Sequence, residues 1–131
     1  MASPRETLLT KFEVCLYKKH DISYEDFVEW TTKVYPPKAI SIIKKHGIVK
    51  WAQIVTPPTF REPFRQTLKD MGRLKWTAPD YDLVMSVWLR SIDDMLALYK
   101  YPKWIELEEE AELWCNVTIG HSVIGHEIAQ I

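Results

Sequence analysis

The chain has little of what several function classes need. It holds two cysteines, Cys15 and Cys115, in 131 residues. Two are too few for a disulfide framework or a cysteine zinc site, and both read as reduced, structural thiols. There is no P-loop, dinucleotide fingerprint, nucleophile elbow or metal-ligand spacing. Neither charge sign dominates: 17 basic residues face 18 acidic ones, for a net charge of −1. Nucleic-acid binding needs clustered positive charge, so that class is set aside. No apolar run approaches a membrane span, and the first residues lack the apolar core of a signal peptide. The expectation is a cytoplasmic protein with no membrane association. Asn116-Val117-Thr118 matches a glycosylation acceptor that such a protein leaves unused.

Aromatic residues are what the chain does have, with six Trp, six Tyr and four Phe. They read either as a large core or subunit interface, or as the wall of a pocket for a flat ligand. The hydrophobic fraction, 47%, is enough for one domain with its own core. That domain is expected over residues 1–131, with a loose polar tail at 1–7.

Ser23–Thr56 organises the rest. Ser23 and Asp26 make a capping-box-like helix start. Tyr24, Phe27, Val28, Thr31, Val34 and Tyr35 follow at helical spacing. Pro36 and Pro37 are expected to interrupt this helix, because proline lacks the amide donor. Helix resumes to His46, and Gly47 supplies a left-handed stop after three basic residues. A strand is expected over Ile48–Thr56.

Strand one is expected at Leu8–Lys18, with Phe12, Val14 and Leu16 on one face and Lys11, Glu13, Cys15 and Tyr17 on the other. Glu62–Gly72 reads as an inserted helix with Pro63 in its first turn, either a lid over a cleft or decoration. Strand three is expected at Tyr81–Arg90, and Ser91 with Asp94 caps a short helix. Trp104–Trp114 carries five glutamates and reads as a solvated helix. Strand four runs over about Val117–Gln130. The order is βαβ, a helical insertion, then βαβ: an α+β, ferredoxin-like four-stranded antiparallel sheet with helices on one face. The other face is too apolar for water, so two sheets are expected to pack as a homodimer.

The order of several short pieces resembles a known family. These are Tyr17-Lys18-Lys19, Ile22–Phe27, Trp30 with a following Pro, Lys45-His46-Gly47-Ile48, Trp51-Ala52-Gln53, Asp80-Tyr81-Asp82 and Ser91–Asp94. Over roughly residues 8–130 the chain is similar to an EthD-type domain of the dimeric α+β barrel superfamily. It is most like the small stand-alone proteins of fungal aromatic polyketide pathways, which include decarboxylases. The family often has His-x-Pro after the Trp; here Tyr35 takes the place of that His.

The resemblance implies a dimeric α+β barrel with a cleft between helices and sheet. It implies an aromatic polyketide acid as substrate and a cofactor-free decarboxylation by acid, base and electrostatics, with no metal. A cyclase, a dehydratase, a cofactor-free anthrone oxygenase or a non-catalytic polyketide-binding protein fit the same parts. A heme-degrading relative fits less well, since no clear proximal ligand is evident. Candidate catalytic residues are His46, His126, Tyr35 and Asp82. A histidine titrates near neutrality and suits proton delivery. Tyr35 suits an oxyanion, and Asp82 a base or an orienter of His. Each has a plainer role as well: charge at a helix end for His46, a turn partner for Asp82. His121 and His126 differ by five positions, so an unbroken strand points them to opposite faces. His126 shares parity with Ile124 and Ile128 and reads as the more buried. Tyr17, Trp30, Trp51, Trp88 and His121 are the candidate substrate contacts.

Overall fold

A computed structural model describes residues 8–131; the expected tail at 1–7 lies outside them. β1 (Thr10–Lys18) leads into α1 (Tyr24–Glu29), a π-helical segment (Trp30–Val34), α2 (Tyr35–Lys45) and β2 (Ile48–Val55). Then come α3 (Pro58–Asp70), β3 (Leu83–Leu89), α4 (Ile92–Lys100), α5 (Pro102–Ala111) and β4 (Cys115–His126). The sheet order is β2-β3-β1-β4, and all three pairings are antiparallel. This is the expected α+β, ferredoxin-like arrangement. Among the described residues, no helix is long and apolar enough to cross a membrane.

The first helix does not break at the prolines. Ser23 caps it as expected, its Oγ accepting from the Asp26 amide at 3.1 Å. Pro36 and Pro37 have no N–H to offer the carbonyls one turn back. The chain responds by widening: the Tyr35 amide bonds to the Trp30 carbonyl five residues earlier, and helix continues into α2. The Thr31 carbonyl, unclaimed within the helix, accepts from Gln53 Nε2 of β2 at 2.8 Å. A buried carbonyl needs such a partner. At the end of α2, Gly47 takes φ +77°, the left-handed stop the sequence predicts.

Strand alternation sorts the side chains. Phe12, Val14, Met85, Val87 and Trp51 share the face on which the helices pack. Lys11, Glu13, Cys15 and Tyr17 lie on the opposite face beside Trp88, Ser86 and Val84. The main core cluster joins Phe12, Val87 and Leu89 to Trp30, Tyr35, Ile43, Leu98 and Trp104.

Three local expectations are corrected. α3 starts at Pro58, so Pro63 is interior rather than in the first turn, and Leu68 is its one buried residue; Phe64 is exposed, as is Met71 just after it. Ser91 makes no side-chain cap to α4; the Asp94 carboxylate lies instead against Gly47. α5 is not a wholly solvated helix: Trp104 and Leu107 are buried. The reason in each case is which neighbour the helix meets, which periodicity does not state.

Candidate active site

A cavity of about 440 Å³ lies between the helices and the sheet. Its floor is Phe12, Val14, Leu16, Met85 and Val87, the inward-facing residues of the two central strands. The π-helical turn builds one wall. Closing that turn with a five-residue step puts Trp30 and Tyr35 side by side, ring centroids 5.2 Å apart. Trp30 stacks on Trp114 at 5.2 Å with ring planes 10° apart. Tyr35 meets Trp51 and Trp104 edge-on, at 5.9 and 6.5 Å. The result is a box of flat faces with little polar surface.

The polar groups of the wall are few. Thr31 comes from the π-helical turn, Tyr35 from α2, Tyr99 from α4, Glu108 from α5 and Cys115 from the start of β4. Among the described residues, no lysine, arginine or histidine lines the cavity. Glu108 stands at its mouth, exposed to solvent yet beside apolar neighbours. Those neighbours raise its pKa above the ordinary carboxyl value, Glu112 one turn on raises it further, and the Trp104 indole N–H opposes both. Solvent contact keeps this rise modest. Burial, followed by the nearby Glu108 charge, holds the Tyr35 hydroxyl well above its ordinary range. The same two causes push the Cys115 thiol up to about 12. At neutral pH both therefore act as proton-bearing groups. The Trp104 Nε1 is a buried donor with no hydrogen bond of good geometry among the described residues.

Of the nine residues expected at the site, the structure brings Tyr35, Trp30 and Trp51 to this cavity. The other six stand elsewhere. His46 closes α2, its Nδ1 2.8 Å from the Ile42 carbonyl and its ring against Tyr101. His126 pairs with Thr10 at the exposed end of β4; this edge strand is covered by no helix there, so parity with Ile124 and Ile128 brings no burial. Asp82 is buried, but its Oδ2 accepts from the Lys18 amide at 2.9 Å and its Oδ1 from Arg61 at 3.1 Å. Tyr17 and His121 are on the opposite face of the sheet, both against Tyr81, whose hydroxyl is 2.7 Å from His121 Nδ1. Trp88 is on that face too, between the ammonium groups of Lys11 and Lys50 at 4.5 Å each.

Sequence reasoning missed Glu108, Trp104 and Tyr99. A signal existed: Trp104, Leu107, Ala111 and Trp114 form an apolar stripe, and Glu108 adjoins it one turn after Trp104. α3 and its loop supply no lining residue, so the insertion is not a lid over this cavity. Arg61, paired with Asp82, and Arg65, which bonds the Ala78 carbonyl at 2.9 Å and the Asp80 carboxylate, pin the insertion at its base. Among the described residues, no group of three or more His, Cys, Asp or Glu is placed to hold a metal ion.

Residues 19–115 match the EthD domain family. The chain is 28% identical over 121 residues to Dehydratase iacD of Pestalotiopsis fici, which covers 92% of this chain and 87% of that protein. An ethyl tert-butyl ether D (EthD) family protein from Bacillus halodurans superposes with a TM-score of 0.58 at 13% identity, over 92% of this chain and 99% of that one. A dimeric protein of ferredoxin-like fold from Bacteroides fragilis gives 0.56 at 8% identity, over 91% and 94%. At these identities the solved structures establish the fold.

Proposed function

We propose that this chain, which belongs to the EthD domain family, is a cofactor-free lyase that eliminates water from a flat, uncharged polyketide-derived hydroxy ketone. The observation that carries this reading is Glu108, among the described residues the one carboxyl on the wall of an aromatic cavity to which they bring no cation. A carboxylate ligand finds no counter-charge there, whereas a neutral ring system meets apolar and aromatic faces. The relative named a dehydratase supports the same reaction class.

The chemistry needs one proton donor and one acceptor. A ligand filling the cavity displaces water from Glu108 and favours its neutral form further. In one concerted step neutral Glu108 gives its proton to the β-hydroxyl and takes up the α-proton; the electron pair of the breaking carbon–hydrogen bond forms the carbon–carbon double bond as the carbon–oxygen bond breaks and water leaves. Glu108 ends as it began. Tyr35, kept protonated by burial, donates to the ketone oxygen and stabilises negative charge there as the α-proton departs. Proton delivery thus falls to Glu108 rather than to His46 or His126. Positioned proton transfer of this kind contributes about 10²–10⁴-fold.

A second reading is decarboxylation of an aromatic polyketide acid. The dry, apolar wall favours it, since loss of carbon dioxide disperses a charge the cavity solvates poorly. Glu108 then supplies the proton to ring carbon. The cyclase, oxygenase and carrier alternatives have no such observation behind them. In each reading the protein acts as a homodimer.

One pair of probes separates these. Loss of water from 3-hydroxy-1-tetralone and loss of carbon dioxide from 1-hydroxy-2-naphthoate both yield fluorescent 1-naphthol. Turnover of the tetralone, slowed about a hundredfold or more in Glu108→Gln, is the expected result. Turnover of the acid alone establishes decarboxylation instead. Binding of both with no naphthol above the uncatalysed rate makes the protein a carrier and overturns the lyase reading.

A further inference from the structure

We infer that Trp104 is a positioning residue for Glu108: its indole N–H holds one carboxyl oxygen, leaving the other to carry the proton into the cavity. The inference rests on the reading of Glu108 as the acid. Both residues lie on α5 four positions apart, so their side chains share one face. Both line the cavity. The Trp104 ring is buried and fixed edge-on against Tyr35. Its Nε1 is a buried donor with no partner of good geometry among the described residues. Burying a donor without a hydrogen bond is costly, so a nearby acceptor is the natural resolution. The Glu108 carboxyl, one turn along the same helix face and on the same cavity wall, is that acceptor. Such bonds are often loose in an empty site and tighten when ligand is bound.

The surroundings leave this role to Trp104. Among the described residues, the titratable groups that face Glu108 are Glu112 at the end of α5, Tyr35 from α2, Tyr99 from α4 and Cys115 from β4. None is a cation. Lys38 of α2 is paired with Glu110 at 2.5 Å.

The test needs no substrate. With glutamate ¹³Cδ and tryptophan ¹⁵Nε1 labels, Glu108 and the Trp104 N–H are followed by NMR through a pH titration. Trp104→Phe keeps the ring and removes the donor. The Glu108 midpoint is expected to rise by about one unit in this variant, because a donor that stabilises the carboxylate is gone. In the parent, the Trp104 N–H resonance is expected to move downfield with the Glu108 midpoint. An unmoved or lowered midpoint in the variant overturns the inference, even where the variant melts earlier. An N–H resonance that ignores the Glu108 titration overturns it too, and this readout stands if the variant does not fold. A midpoint that rises while Glu108→Gln leaves turnover intact keeps the pair and removes the catalytic reading.

Discussion

At Glu108 two influences act on the same carboxyl in opposite directions. Apolar neighbours and Glu112 favour the protonated form, while the Trp104 N–H favours the charged one. The net shift is upward, so the folded state binds this proton more tightly than the unfolded chain does. Stability from this group is then fully present below 4.5 and falls as pH rises through the folded midpoint. Glu108→Gln is expected to melt slightly higher than the parent at pH 7, with the gap closing below the ordinary carboxyl range; paired thermal melts check this. Activity that depends on neutral Glu108 should decline on the alkaline side of its midpoint. Tyr35→Phe tests the second donor. It removes a hydrogen bond to developing charge at little packing cost, so kcat should drop by about tenfold or more with KM nearly unchanged.

Elements are placed by contacts that span long stretches of sequence. The π-helical turn owes its form to Pro36 and Pro37, yet its stray carbonyl at Thr31 is satisfied from β2 by Gln53. Gln53→Leu leaves that buried carbonyl unpaired and should cost about 1–3 kcal/mol in urea unfolding. Since this turn holds Trp30 beside Tyr35, the near-ultraviolet circular dichroism should change as well. The insertion after β2 depends on Arg61 and Asp82, whose side chains are 17% and 9% exposed. Arg61→Ala strands a buried carboxylate that keeps only the Lys18 amide. A loss of about 2 kcal/mol is expected, with the insertion more readily cut by protease. The sequence showed that an insertion exists here, but not where its apolar side goes. Phe60, Phe64, Leu74 and Trp76 are exposed.

For the whole molecule the question is what covers the sheet face turned away from the cavity. Apolar residues there remain exposed: Ile54 and Ile119 at 50% and Val123 at 68%. A second copy laid face to face would bury them, and the Bacteroides fragilis neighbour of this fold is described as dimeric. Light scattering at micromolar concentration should give about twice the monomer mass. Val123→Glu with Ile54→Glu should return it to the monomer mass. Monomer in the parent would remove the barrel architecture.

The order of elements was legible because each depends on neighbours in sequence: alternation for the strands, helical spacing for α2, Gly47 for its stop, Ser23 for its start. Tyr35, Trp30 and Trp51 could be named in advance because they lie within or next to that well-marked stretch. The histidines and Asp82 could not be placed the same way. A side chain's type says what it is able to do; which face of the sheet it occupies, and whether another group already holds it, are set by pairings up to sixty or more residues distant, as Lys18 with Asp82 shows. Glu108 was hidden for the converse reason. Among the four glutamates of α5, the sequence assigns each the same charge. Only the packing of α5 beside α2 and the sheet sets this one at the mouth of an apolar cavity, where desolvation changes its acidity.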